Sequence, residues 1–131
     1  MIRKLLFFLT LSGILLLSSS CSKHDEDILF GVWEQVNVSD INAGYSIEWE
    51  FVNGQLHTYR RSKENLEQVQ LTDSGFYFLE SSPFKTTLRL LDTANSTWNN
   101  DWDVIKLNGE KLIIHMDIPG GVLFKEFIKI Q

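Results

Sequence analysis

The chain has 131 residues, 12 Lys and Arg against 17 Asp and Glu, a formal charge of -5 at pH 7 and a single cysteine, Cys21. The acidic balance, with no dense basic stretch, argues against nucleic acid and against electrostatic adhesion to anionic lipid. A lone cysteine forms no intramolecular disulfide, so stability has to come from a core, and a chain of this length supports one domain.

The first residues have the order of an export signal: Arg3 and Lys4, an apolar run from Leu5 to Leu17, then Ser18, Ser19 and Ser20 before Cys21. The run is shorter than the roughly 18 residues of a spanning helix, which argues against a retained anchor. Leu17-Ser18-Ser19-Ser20-Cys21 resembles the lipobox of bacterial lipoproteins, in which the signal is cut before the cysteine and the thiol carries diacylglycerol. The usual motif has a large aliphatic residue three places before the cysteine, where this chain has Ser18. The resemblance implies a signal peptide over 1–20, lipid and palmitate on Cys21, and a place on the bacterial outer membrane. An ordinary secretory signal with an incidental cysteine is the alternative.

Residues 21–28 read as the lipidated cysteine and an acidic flexible tether, since Ser22 to Asp27 offers nothing apolar to pack, although Asp25 to Leu29 suits one capped turn. The Lys23 to Asp27 stretch also resembles the surface-export signal of Bacteroidetes lipoproteins, which implies an outward-facing domain. A plain solvated spacer would leave the domain facing the periplasm.

From 29 to 131 the chain reads as short strands. Phe30 to Val38 is the first, and Ser46 to Phe51 alternates with Ile47, Trp49 and Phe51 on one face. Asn53-Gly54 then predicts a two-residue hairpin into Gln55 to Arg61. Glu67 to Leu71 and Gly75 to Glu80 are separated by Thr72-Asp73-Ser74, and Phe84 to Leu91 follows Ser81-Ser82-Pro83. Asn108-Gly109 predicts a second two-residue hairpin between Trp102 to Leu107 and Glu110 to Ile118, and Pro119-Gly120-Gly121 leads into Val122 to Ile130. About eight strands in series, without sustained helical periodicity, predict an all-β, antiparallel up-and-down barrel, since closure removes the exposed edges of a sheet.

Leu29-Phe30-Gly31-Val32-Trp33 resembles the Gly-x-Trp opening of lipocalins, and Trp102 to Leu107, Leu112 to Ile114 and Phe127 to Ile130 are similar to the ending of Bacteroidetes lipocalin-like domains. The resemblance implies a lipocalin-like barrel holding a small apolar or amphipathic ligand. In lipocalins an arginine of the last strand packs over the tryptophan; here the matching positions offer Lys125 or Lys129.

Hairpin counting sets Phe51 opposite Leu56, Trp49 opposite Thr58 and Ile47 opposite Arg60, so Arg60 is expected to face inward. The same counting sets Ile105 opposite Leu112 and Asp103 opposite Ile114. Pairing Ile118 with Val122 sets Met116 by Phe124, Ile114 by Glu126 and Leu112 by Ile128. The candidate ligand-binding residues are therefore Arg60, Asp103 and Glu126 with Trp49, Phe51, Met116 and Phe124. Arg60 either receives a ligand carboxylate or closes a salt bridge with Asp103 or Glu126 at the barrel mouth. Trp98, Asn99, Asn100 and Trp102 suit sugar stacking or a protein contact on one reading and packing of the barrel core or rim on the other.

His24, His57 and His115 do not converge, so no metal site is expected, and neither a nucleophile signature nor a cofactor motif is present. The expectation is a non-enzymatic binding protein joined to a membrane through acyl chains. Its alternative is a barrel filled by its own side chains that contacts a protein or glycan from outside; the state of the interior separates the two.

Overall fold

A computed structural model describes residues 22–36 and 44–131; the signal segment at 1–20, Cys21 and the first strand beyond Val36 lie outside them. Eight antiparallel strands follow in chain order: β1 (Gly31–Gln35), β2 (Tyr45–Val52), β3 (Gln55–Ser62), β4 (Val69–Ser81), β5 (Thr86–Leu91), β6 (Asp101–Leu107), β7 (Lys111–Ile118) and β8 (Gly121–Lys129). Each pairs with the next, and β8 returns to β1 through Trp33 with Lys129, Glu34 with Ile128 and Gln35 with Phe127, closing the barrel.

The first hairpin has the register that Asn53-Gly54 predicts. Both residues adopt positive φ, 48° and 81°, as a two-residue turn of this hand requires, and Phe51 faces Leu56, Trp49 faces Thr58 and Ile47 faces Arg60. The second hairpin departs from expectation. Asn108 acts through its side chain, its Oδ1 accepting the amides of Glu110 at 2.8 Å and Lys111 at 2.7 Å, and neither Asn108 nor Gly109 has positive φ. Leu107 therefore pairs with Leu112, a bulge at Ile105 absorbs one residue, and Val104, not Asp103, lies opposite Ile114.

The third turn is shorter than predicted. Pro119-Gly120 forms it alone, with Gly120 at φ 87°, and Gly121 already pairs with Ile118. The register moves by one residue: Met116 faces Leu123, Ile114 faces Lys125 and Leu112 faces Phe127. Because side chains alternate along a strand, that single step turns Phe124 and Glu126 outward and Lys125 inward.

The strands expected at Glu67 to Leu71 and Gly75 to Glu80 are one strand of 13 residues, β4. Thr72-Asp73-Ser74 does not turn the chain. A bulge opposite Thr58 and Tyr59 leaves Thr72 unpaired, and its hydroxyl lies 2.8 Å from that of Thr58.

The predicted tether is also corrected, since residues 22–29 are a helix, α1. It lies across the barrel end formed by the turns at 53–54, 82–85 and 108–110. Ser22 bonds Ser81, the Lys129 ammonium donates to the Ile28 carbonyl at 2.7 Å, and Leu29 is fully buried. Gly31 follows at φ 129°, where a Cβ would press on the Gln131 carbonyl oxygen, so only glycine fits there. Trp33 is buried above this closed end; its Nε1 donates to the Leu29 carbonyl at 2.8 Å and the Lys129 ammonium sits 5.2 Å from its ring centroid.

Trp33, Trp49, Phe51, Leu56, Trp102 and Phe127 expose 0% of their surface to water. A side chain with no water-accessible surface borders no void large enough to hold a water molecule. The barrel is thus packed by its own side chains from the closed end up to the level of Trp49.

Candidate functional site at the barrel mouth

The opposite end, the mouth, carries the loops 63–68 and 92–100 and the turn at 119–120. The 92–100 loop is closed internally by Asn99, whose Oδ1 accepts from the amide and hydroxyl of Thr93, both at 2.8 Å, and whose Nδ2 donates to the Thr93 carbonyl. The closed loop holds Trp98 against Trp49, with ring centroids 5.0 Å apart, and the Trp98 carbonyl accepts from Trp102 Nε1 at 3.0 Å. Trp102 is buried and Asn99 is used within the loop, so this cluster packs the rim, with Trp98 and Asn99 half-buried and Asn100 exposed.

Lys125 lies beneath that loop. It faces Ile114 across the β7–β8 ladder, and its ammonium sits 4.8 Å from the Trp98 ring centroid and 5.5 Å from that of Trp49. Burial lowers its pKa below the usual lysine value, because the charged form loses hydration that nothing replaces. Among the described residues no carboxylate pairs with it.

Arg60 is the second inward cation, on β3 opposite Ile47. Its guanidinium stacks on Tyr45 at 4.1 Å from the ring centroid, and its Nε is buried without a hydrogen-bond partner. An open cleft of about 370 Å³ at this rim is lined by Tyr45, Arg60, Ser62, Glu67, Gln68, Val69 and Gln70. Trp49 Nε1, also buried, likewise lacks an acceptor. Three inward-facing groups at the mouth therefore offer nitrogen donors, and the described residues supply no acceptor for Trp49 Nε1, Arg60 Nε or the Lys125 ammonium.

Of the residues the sequence nominates, Trp49, Phe51 and Met116 are inside and Arg60 is at the inner rim. Asp103, Glu126 and Phe124 are outside. Asp103 pairs with the Lys85 ammonium at 2.9 Å and lies 3.9 Å from His115 Nε2, while Glu126 lies 3.6 Å from Lys111. Phe124 is 62% exposed, with its ring 5.3 Å from that of His115. The expected salt bridge from Arg60 to Asp103 or Glu126 is consequently not formed, since the barrel wall separates the partners. Lys125 is the inward residue that sequence counting missed. Taking Pro119-Gly120 as a complete two-residue turn, with glycine at its positive-φ position, would have found it.

Among the described residues no group of three or more His, Cys, Asp or Glu is placed to hold a metal ion, and no helix is long and apolar enough to cross a membrane. No known protein family, curated protein or solved structure matches this chain.

Proposed function

We propose that this is a non-enzymatic, lipid-anchored envelope protein with a lipocalin-like barrel, which binds a small amphipathic anion at its mouth. The observation that carries the reading is Lys125, an inward ammonium between two indoles with no counter-charge among the described residues. An anionic head group would replace the hydration that burial removes from it and would engage Arg60 and the Trp49 N–H as further donors. The packed lower barrel leaves no room for a deeply buried tail. The apolar part of the ligand then lies along Ile47, Trp98 and Leu123 at the rim.

Lys129 supports the lipocalin-like reading, because it stands over Trp33 where lipocalins place an arginine. The outer-membrane anchor rests on the Cys21 motif. Labelled palmitate is expected in the wild type and not in Cys21→Ala, and equal labelling of both would end that part. Added protease then tells whether the domain faces outward or the periplasm.

Titration with a fluorescent fatty acid tests the site. Saturable binding is expected in the wild type and a loss of at least about tenfold in Lys125→Met, the size of one charge-assisted hydrogen bond. Affinity is also expected to stop rising with chain length once the rim is covered. Binding that Lys125→Met leaves intact would refute the assignment.

A second reading has its own observation. Phe76 and Leu91 pair on the outer face of β4 and β5 with Phe78 nearby, at 47%, 36% and 57% exposed. Together with the filled interior, this stripe favours a protein contact from outside the barrel if no amphiphile binds.

A further inference from the structure

The described chain begins at Ser22, and Ser22 is not loose. Its Oγ accepts from the Ser81 amide at 3.1 Å and lies 3.3 Å from the Ser81 carbonyl, and the Asp25 carboxylate accepts from the Ser81 hydroxyl. The start of α1 is therefore fixed beside the end of β4, where the chain turns into β5. That turn is held on both sides: the Ser82 amide donates to the Lys85 carbonyl at 2.8 Å and the Lys85 amide donates to Ser82 Oγ at 3.1 Å. Pro83, with its fixed φ, and Phe84 form the apex. Phe84 is 99% exposed, the most exposed of the large hydrophobic residues described, and nothing in the barrel packs on it.

We propose that Phe84 is a membrane contact: its ring enters the interfacial layer of the same bilayer that holds the acyl chains of Cys21, seating the closed end on lipid and aiming the mouth away from it. The inference rests on the proposed lipidation of Cys21. Once acyl chains hold the protein at the surface, insertion of the ring is an intramolecular step, driven at high effective concentration, so one apolar side chain suffices to select an orientation. Charge does not supply the attraction. Lys23 on α1 and Lys85 on the turn are set against Asp25, Glu26 and Asp27, and Lys85 is already paired with Asp103. The contact is thus expected to be as good on zwitterionic as on anionic lipid.

The test uses the full lipidated protein in phosphatidylethanolamine and phosphatidylcholine vesicles containing brominated acyl chains. The Cys21 thiol is consumed by lipid, so an introduced cysteine is the only site for a fluorophore. A label at Lys85→Cys, next to the ring, is expected to be quenched several-fold more than one at Val122→Cys, at the mouth end. Adding Phe84→Ser should bring the Lys85→Cys label down to the Val122→Cys level while the protein still floats with the vesicles. Vesicle-bound protein in which Phe84→Ser leaves the quenching unchanged would overturn the docking proposal alone. Wild-type protein that does not float, or that takes label at Cys21, would overturn the lipid anchor and the docking proposal with it.

Discussion

The Lys125–Trp98 contact allows a quantitative test at the mouth. Lys125→Met keeps the length and apolar body of the side chain and removes the charge, and Trp98→Leu removes the ring face while keeping some apolar cover. Cation–π contacts contribute about 0.5–1 kcal/mol at exposed sites and about 2 when desolvated. The Lys125 ammonium is 4.8 Å from the Trp98 centroid at a half-buried rim, so a coupling of about 1 kcal/mol is expected. Trp98→Leu alone should cost about 2 kcal/mol, because it also removes the stacking on Trp49, and aromatic pairs contribute about 0.5–1.5 kcal/mol beyond area. Urea melts followed by far-ultraviolet circular dichroism avoid the changed tryptophan signal, and the four proteins of the cycle yield the coupling directly. A double variant that is additive to within about 0.3 kcal/mol would show that the ammonium gains nothing from the indole, and the placement of Lys125 as a poised cation would fail.

The pH dependence of the same variant carries a definite sign. The folded pKa of Lys125 is lowered by burial, so between that value and the ordinary 10.5 the unfolded chain holds more protons, and wild type should gain stability relative to Lys125→Met as pH rises through this window. Parallel melts at neutral and alkaline pH read the change in the gap; a gap moving the other way would mean that the indoles outweigh desolvation. Gly31→Ala should lose about 3 kcal/mol, measured by urea midpoint, because it combines a φ of 129° with a Cβ pressed on the Gln131 carbonyl. Glycine at the two Asn-Gly turns should separate them: Asn53→Gly is expected to be near neutral in thermal melts. Asn108→Gly should cost about 1 kcal/mol through loss of the two amide bonds to its Oδ1.

That contrast also explains how far the sequence could be read. The barrel, its strand order and the first hairpin were legible because alternation and one well-behaved Asn-Gly turn fix a register without tertiary information. The mouth was not, because two turns with familiar glycines admit registers one residue apart. In one the asparagine bonds through its side chain; in the other Pro119-Gly120 needs no third residue. Those choices moved Asp103, Phe124 and Glu126 to the outside and Lys125 to the inside. Helix α1 is legible only as a capped turn over Asp25 to Leu29, for a different reason: its stretch to Asp27 has no apolar periodicity, and its order comes from bonds to Ser81 and Lys129 and from the burial of Leu29 in the barrel end. The single strand β4 was split in reading because Thr72-Asp73-Ser74 has turn composition, while the neighbouring β3 holds it in the ladder through a bulge.

The seam between β1 and β8 sets the order in which this molecule can assemble. The other strand pairs join neighbours in the chain, whereas Trp33 meets Lys129 from opposite ends of the domain. Contacts of such long sequence separation form late, because the intervening chain must be ordered first. Until the nine residues of β8 are in place, β1 and β7 present bare edges, and the chain behaves as an open sheet ready to pair with other chains. Strand β8 is therefore a latch, and the barrel stays open until that strand is in place.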